Sequence, residues 1–312
     1  MASRIAFLFP GQGSQVVGMG KDLAENSQRA REVFDKVDHI CSKPISRLCF
    51  EGPMAELTLT HNLQPAITAV SLALLALLEE EGVRPHISAG HSLGEYSALV
   101  ASGVIREEDA LGLVHKRGLL MQREAELNPG GMVAVIGLKI MEVEEIILSA
   151  SERGIISVAN HNSEQQIVLT GAKEALLSAS KMVKERGGKA IPLKVSGAWH
   201  SELMRGAVEE FRRFMDDIEF SPPKAMVLFN ATASTEKNPE AIKDIMALQL
   251  ISRVRWYEIM KNMLTDGVEV FAEVGPKNVL AGLLKKTVPK GDGIRIYNVD
   301  SLSSLKEFVA SI

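Results

Sequence analysis

Between residues 132 and 195 the order of apolar runs changes, and this interruption constrains the fold more than any other feature of the 312-residue chain. Strands are predicted over 132–138, 155–159, 166–170 and 189–195, with helices over 141–153 and 172–187 and a turn at Asn162 to Glu164. That is a β-α-β-β-α-β succession, the ferredoxin-like order. On both sides of it, strands and helices simply alternate. Short apolar runs at 5–9, 87–90, 226–229, 268–274 and 294–299 read as buried strands. The first of them stops at Pro10-Gly11. Helical periodicity covers 27–41, 62–81, 93–101, 106–126, 201–215, 239–251, 256–265, 277–286 and the C-terminus. Alternation of this kind builds a parallel sheet. The expected organisation is an α/β domain made of 1–128 and 197–312, with 129–196 inserted as a smaller domain.

The formal charge of −4 argues against a dedicated nucleic-acid binder. Cys41 and Cys49 have no metal-like spacing and are too few for a disulfide framework, which points to a reducing, cytoplasmic setting. The seven histidines are scattered and H-E-x-x-H is absent, so no metal is expected. The longest weakly polar run, 66–78, is shorter than the ~20 residues of a membrane span. It is expected to be a buried helix, and no export segment is read at the N-terminus.

Two glycine-rich turns follow strands. Gly11-Gln12-Gly13-Ser14-Gln15 misses the dinucleotide fingerprint, because Val16 stands where G-x-G-x-x-G requires its third glycine. It fails as a P-loop too, since Gln15 occupies the first glycine position and Asp22 follows Gly20-Lys21. What remains is a plain turn, or one whose backbone N–H groups face a site. The second turn, Gly90-His91-Ser92-Leu93-Gly94, lies between a predicted strand and a predicted helix. That is the setting of the G-x-S-x-G nucleophile elbow, in which the Leu93 N–H at the helix start can stabilise an oxyanion.

A nucleophilic serine needs a base. Of the histidines after Ser92, His115 falls within a long helix and His161 in a turn region. His200 sits between a strand end and a helix start, where sites concentrate, and is the favoured candidate. No acidic third member is evident. Asp109 belongs to the charged start of a helix, and the glutamates of the interval fall mostly on polar helix faces. The sequence therefore suggests a Ser–His dyad whose histidine is oriented by a backbone carbonyl or an amide. Arg117 projects from an apolar helix face, with Leu113, Val114, Leu120 and Met121 at its helical neighbours. A buried guanidinium needs a carboxylate. An internal ion pair, a snorkelling arginine and capture of a ligand carboxylate all satisfy that requirement.

Taken together, these residues resemble the malonyl-CoA:acyl carrier protein transacylases of bacterial fatty-acid synthesis. The likeness runs through Phe9-Pro10-Gly11-Gln12-Gly13-Ser14-Gln15, Gln64-Pro65-Ala66, Gly90-His91-Ser92-Leu93-Gly94-Glu95-Tyr96, Arg117, Asn160 and Asn162. It continues through Trp199-His200-Ser201 with Met204, Gln249, Val254-Arg255-Trp256 and Glu273-Val274-Gly275-Pro276. It implies an α/β-hydrolase-like large domain with an inserted ferredoxin-like small domain. It also implies Ser92 as nucleophile, His200 as base, Gln12 and Leu93 N–H groups as oxyanion hole, and Arg117 as the malonyl carboxylate site. The Gln249 carbonyl would orient His200, and Asn160, Asn162 and Gln166 would lie near the thioester entrance. The implied partners are malonyl-CoA and holo acyl carrier protein, with no cofactor, nucleic acid or membrane, and the chain acting as a monomer. Lys189, Lys194, Lys285 and Lys286 are candidates for a basic docking patch. Two positions depart from the family, which commonly has Phe where Trp199 stands and Gly where Lys277 stands. A serine hydrolase, a transferase serving polyketide synthesis and a non-catalytic binding module are the rival readings.

Overall fold

The computed structural model describes residues 4–288 and 291–312. Two sheets organise it. The larger has five strands in the order β7-β2-β1-β8-β9, formed by β1 (Ile5–Phe9), β2 (Ile87–Gly90), β7 (Met226–Val227), β8 (Val270–Val274) and β9 (Arg295–Val299). All its pairings are parallel, with β1 at the centre between β2 and β8. The smaller has the order β4-β5-β3-β6, formed by β3 (Gly131–Ile136), β4 (Ile156–Ser163), β5 (Gln166–Gly171) and β6 (Lys189–Pro192). Its pairings are antiparallel throughout. Strands from the first and last parts of the chain thus interleave in one sheet, while the intervening segment supplies all of the other.

The composition of the strands follows from this arrangement. Ala6, Phe7, Leu8 and Phe9 of β1 are all buried, because helices cover both faces of a parallel sheet. On one face lies the main core, which includes Phe7, Phe9 and helix Thr60–Glu80. On the other, Ala6 and Leu8 pack with Trp256, Ile259, Met260 and Phe271. Helix Thr60–Glu80 is longer than its apolar run suggested. By length and composition its 21 residues could cross a membrane, but 94% of its most apolar stretch is buried inside the protein.

Two expectations are corrected. The predicted strand 226–229 shortens to Met226–Val227, because Phe229 instead closes a loop, accepting from Ala233 N at 2.7 Å and donating to Ser234 O at 3.0 Å. The turn expected at Asn162 to Glu164 shifts to Glu164 and Gln165, since β4 continues through His161 and Asn162 to Ser163. There the small sheet meets the large body: His161 N donates to Val254 O at 2.9 Å and Val254 N to Ala159 O at 2.7 Å. Short helices Lys21–Asn26, Ile45–Glu51 and Met54–Leu57 were not anticipated.

Candidate active site

The turn after β2 forces Ser92 into the left-handed region, with φ of 52°. Its flanking glycines are a steric requirement. A Cβ on Gly90 would lie 1.8 Å from the Gly94 carbonyl carbon, and one on Gly94 would lie 1.9 Å from Phe9 O. Only bare Cα atoms let the turn fold on itself and press against the end of β1. The chain then runs through a 3₁₀ turn, Ser92–Gly94, into helix Glu95–Ala101.

Ser92 Oγ lies 2.7 Å from His200 Nε2. The other ring nitrogen, Nδ1, lies 2.9 Å from the main-chain oxygen of Gln249. A carbonyl can only accept, so Nδ1 carries the hydrogen and Nε2 is left with its lone pair toward the serine. Burial, and then the nearby Arg117 charge, lower the His200 pKa to about 3. The imidazole is neutral at physiological pH, as a general base must be. His200 also has a left-handed backbone, with φ of 61°.

Arg117 is 1% exposed and donates to Ser92 Oγ at 3.2 Å, to Gln249 Oε1 at 3.0 Å and to Gln64 Oε1 at 3.0 Å. Its guanidinium also lies over the Tyr96 ring, 5.7 Å from the centroid. Of the alternatives open for Arg117, the internal ion pair is not found: among the described residues it forms no ion pair, and neutral amides take that place. Its Nε is buried without a partner. Burial depresses its pKa, so the site holds a cation that its immediate neighbours do not neutralise.

Glu95 is an exception to the reading that the glutamates between Ser92 and His200 fall mostly on polar helix faces. It is fully buried, because helix Glu95–Ala101 packs into the main core, and burial pushes its pKa up to about 7. Glu95, Gln64 and Asn230 are the residues near the serine to which sequence reasoning gave no role. Asn230 accepts from Ser92 N at 2.6 Å and donates to Gly90 O at 2.7 Å. For Glu95 a signal was present, since it stands one helical turn after the nucleophile.

A cleft of about 680 Å³ opens in front of Ser92. Gln12, Asn160, Asn162, Gln166, Trp199 and His200 line it together with Ser92, whereas Leu93, Arg117 and Gln249 lie buried behind that wall. Among the described residues Gln12 N–H has no hydrogen-bond partner, as a donor awaiting an oxyanion requires. Asn162 Oδ1 is 2.8 Å from His91 Nε2, and Gln166 Oε1 accepts from Lys286 Nζ at 3.0 Å. Of the four lysines singled out, Lys286 and Lys194 therefore sit at the cleft. Lys277 adopts φ of 62°, which explains why glycine suits that position, and its Nζ reaches Gly13 O at 3.3 Å. His161, expected in a turn, is buried in β4 with neither ring nitrogen bonded. His115 is half-buried in its helix, with its Nδ1 buried and unpartnered. Among the described residues no three His, Cys, Asp or Glu side chains converge as a metal site.

Residues 6–303 match the acyl transferase domain family. A malonyl CoA-acyl carrier protein transacylase of Bacillus subtilis (strain 168) is 42% identical over 286 residues, covering 91% of this chain and 90% of that protein. One from Haemophilus influenzae is 39% identical over 309 residues, covering 98% and 99%. The chain belongs to the malonyl CoA-acyl carrier protein transacylase family. Solved transacylases share its mixed α/β build, with one parallel and one separate antiparallel sheet. An acyl carrier protein S-malonyltransferase from Vibrio cholerae superposes with a TM-score of 0.93 at 38% identity, covering 98% of this chain and 100% of that one. A malonyl-transacylase in complex with its type II PKS acyl-carrier protein superposes with a TM-score of 0.95 at 36% identity, covering 99% and 100%.

Proposed function

We propose that this protein moves a malonyl group from malonyl-CoA to the phosphopantetheine thiol of holo acyl carrier protein, through a malonyl ester on Ser92. One observation carries the reading: a single oxygen, Ser92 Oγ, lies 2.7 Å from a neutral imidazole and 3.2 Å from a buried guanidinium that has no carboxylate partner. A hydrolase elbow needs the first contact. Only a substrate with its own carboxylate needs the second.

In the first half-reaction His200 Nε2 takes the Ser92 proton as Oγ attacks the thioester carbonyl. Gln12 and Leu93 N–H groups receive the oxyanion, each such donor contributing ~2.7–4 kcal/mol in acyl transfer. The C–S bond breaks, His200 returns its proton to the departing CoA sulfur, and the malonyl–serine ester remains. In the second half the carrier thiol gives its proton to His200 and attacks the ester, and Ser92 recovers the proton as its bond to the acyl group breaks. This is ping-pong covalent catalysis. Arg117 exchanges its contact with Ser92 Oγ for the malonyl carboxylate, and the Gln249 carbonyl keeps His200 in the required tautomer. Asn160, Asn162 and Gln166 border the thioester entrance. No cofactor is assigned a step, and every group named comes from one copy of the chain.

The strand order β4-β5-β3-β6, second-third-first-fourth within the segment, supports reading 129–196 as a ferredoxin-like domain. It is inserted into an α/β-hydrolase-like domain of 1–128 and 197–312. The test is intact mass after mixing with malonyl-CoA, with acetyl-CoA in parallel, followed by a chase with holo carrier protein. The expected result is a malonyl adduct that acetyl-CoA does not match, that the carrier discharges, and that Ser92→Ala lacks. Release of free malonate without an adduct would make the protein a hydrolase.

A further inference from the structure

Glu95 is a carboxyl that no solvent reaches, and among the described residues it forms no ion pair. It accepts two hydrogen bonds. Asn230 N donates to Oε1 at 2.9 Å, and Gln249 Nε2 donates to Oε2 at 2.6 Å. Each of these two residues holds part of the catalytic group. Asn230 pins the turn leading into Ser92, through Ser92 N and Gly90 O. Gln249 does more. Its Nε2 also donates to Ser92 O at 2.9 Å, its Oε1 accepts from Arg117, and its main-chain oxygen accepts from His200.

The direction of the Gln249 amide follows from Glu95. Nε2 faces two acceptors, Glu95 Oε2 and Ser92 O, so the amide oxygen is forced toward the Arg117 guanidinium. Turned the other way, an NH₂ group would meet Arg117 and an oxygen would meet two oxygens. A carboxylate is the group suited to this place, because both its partners are donors. A protonated acid or an amide would point a hydrogen at one of them, leaving a buried donor unpaired.

We propose that Glu95, as a carboxylate, is a positioning residue for malonyl loading, holding Gln249 and Asn230 so that Ser92, His200 and Arg117 stay in register. The inference rests on the function proposed above. It separates two titrations. The groups facing Glu95 are Arg117 from helix Glu107–Leu127, reached through Gln249, Tyr96 on its own helix, and His200 across Gln249. Burial raises the Glu95 pKa to about 7, against the opposing pull of Gln249, Asn230 and Arg117. His200 is held far lower, at about 3. A fall in loading near neutrality therefore reports the protonation of Glu95 and not of the base: as pH drops through about 7, an acceptor becomes a donor and the register is lost.

The experiment is the single-turnover rate of malonyl-adduct formation on the whole protein, read by intact mass, for wild type and Glu95→Gln. Wild type should lose rate as pH falls from about 8.5 to about 5.5, with a one-proton limb near 7. Glu95→Gln should load about tenfold to hundredfold more slowly at the alkaline end, the worth of one bond to a charged acceptor, and show no limb. A residue that only stabilised the fold would lower the denaturation midpoint and leave the limb in place. Loading at the wild-type rate, or an acid limb retained in Glu95→Gln, overturns the proposal. Should that variant fail to fold, the wild-type profile decides: a limb near 7 supports the role and a flat profile overturns it. A wild type that forms no malonyl adduct removes the parent reading, and this inference with it.

Discussion

The backbone at Ser92 stores strain that a pair of substitutions can measure. Ser92→Ala and Ser92→Gly both remove Oγ, and with it the contacts to His200 and Arg117. They differ only in whether a Cβ occupies a residue with φ of 52°. An L-residue in the left-handed region costs ~1–2 kcal/mol from the clash of Cβ with the following carbonyl. Glycine escapes that clash but gives back ~0.5–1 kcal/mol in extra freedom of the unfolded chain. The net expectation is that Ser92→Gly is more stable than Ser92→Ala by about 1 kcal/mol, or about 2 °C in Tm for a chain of this size. Urea midpoints at equal slope, with thermal scans alongside, read the difference, and neither variant should form an adduct. Equal stability, or a more stable alanine variant, would show that the turn is relaxed and that the nucleophile is not held under strain. The left-handed conformation recurs at His200, so two of the five non-glycine residues with positive φ among the described residues line this one cleft. Strain concentrated in this way is a mark of functional sites.

Two further outcomes follow from the geometry. Arg117→Ala should lower the preference for malonyl-CoA over acetyl-CoA about tenfold to hundredfold, the loss of ~1.5–3 kcal/mol from a charge-assisted bond. Comparing kcat/KM for the two thioesters tests this, and an unchanged ratio removes Arg117 from carboxylate recognition. Gly94→Ala places a Cβ 1.9 Å from Phe9 O, a main-chain atom that cannot step aside. It should cost ~3 kcal/mol or more, and a wild-type urea midpoint would contradict the close approach of the elbow to β1.

Much of this arrangement is legible in the sequence, for identifiable reasons. Strand β1 ends at a Pro-Gly pair and β2 at a glycine turn, so short apolar runs with clear stops were readable. The same holds for the order of elements in the inserted segment. Arg117 stood out because helical spacing alone puts it on an apolar face. Its partners did not, since Gln64 and Gln249 reach it from distant parts of the chain, and ordinary amides carry no mark of burial. Polar side chains around His161 read as a turn. They became strand because the ladder to β5 runs on through Asn160, His161 and Ser163, with one further bridge from Asn160 to Val254. Glu95 was given no role for a related reason: a charged residue opening a helix normally faces water, and only the packing of that helix on every side turns it inward.

The threading of the two sheets also sets an order for synthesis. Every strand of the antiparallel sheet finds its partners within residues 131–192, so that unit can close while the ribosome is still elongating the chain. Strand β1, although made first, gains its second neighbour only when Val270 and the rest of β8 emerge. In the interval, helix Thr60–Glu80, apolar along most of its length, lacks part of its eventual cover. The nascent polypeptide thus exposes a sticky surface until β8 has emerged, and its yield should depend on chaperones that shield that helix.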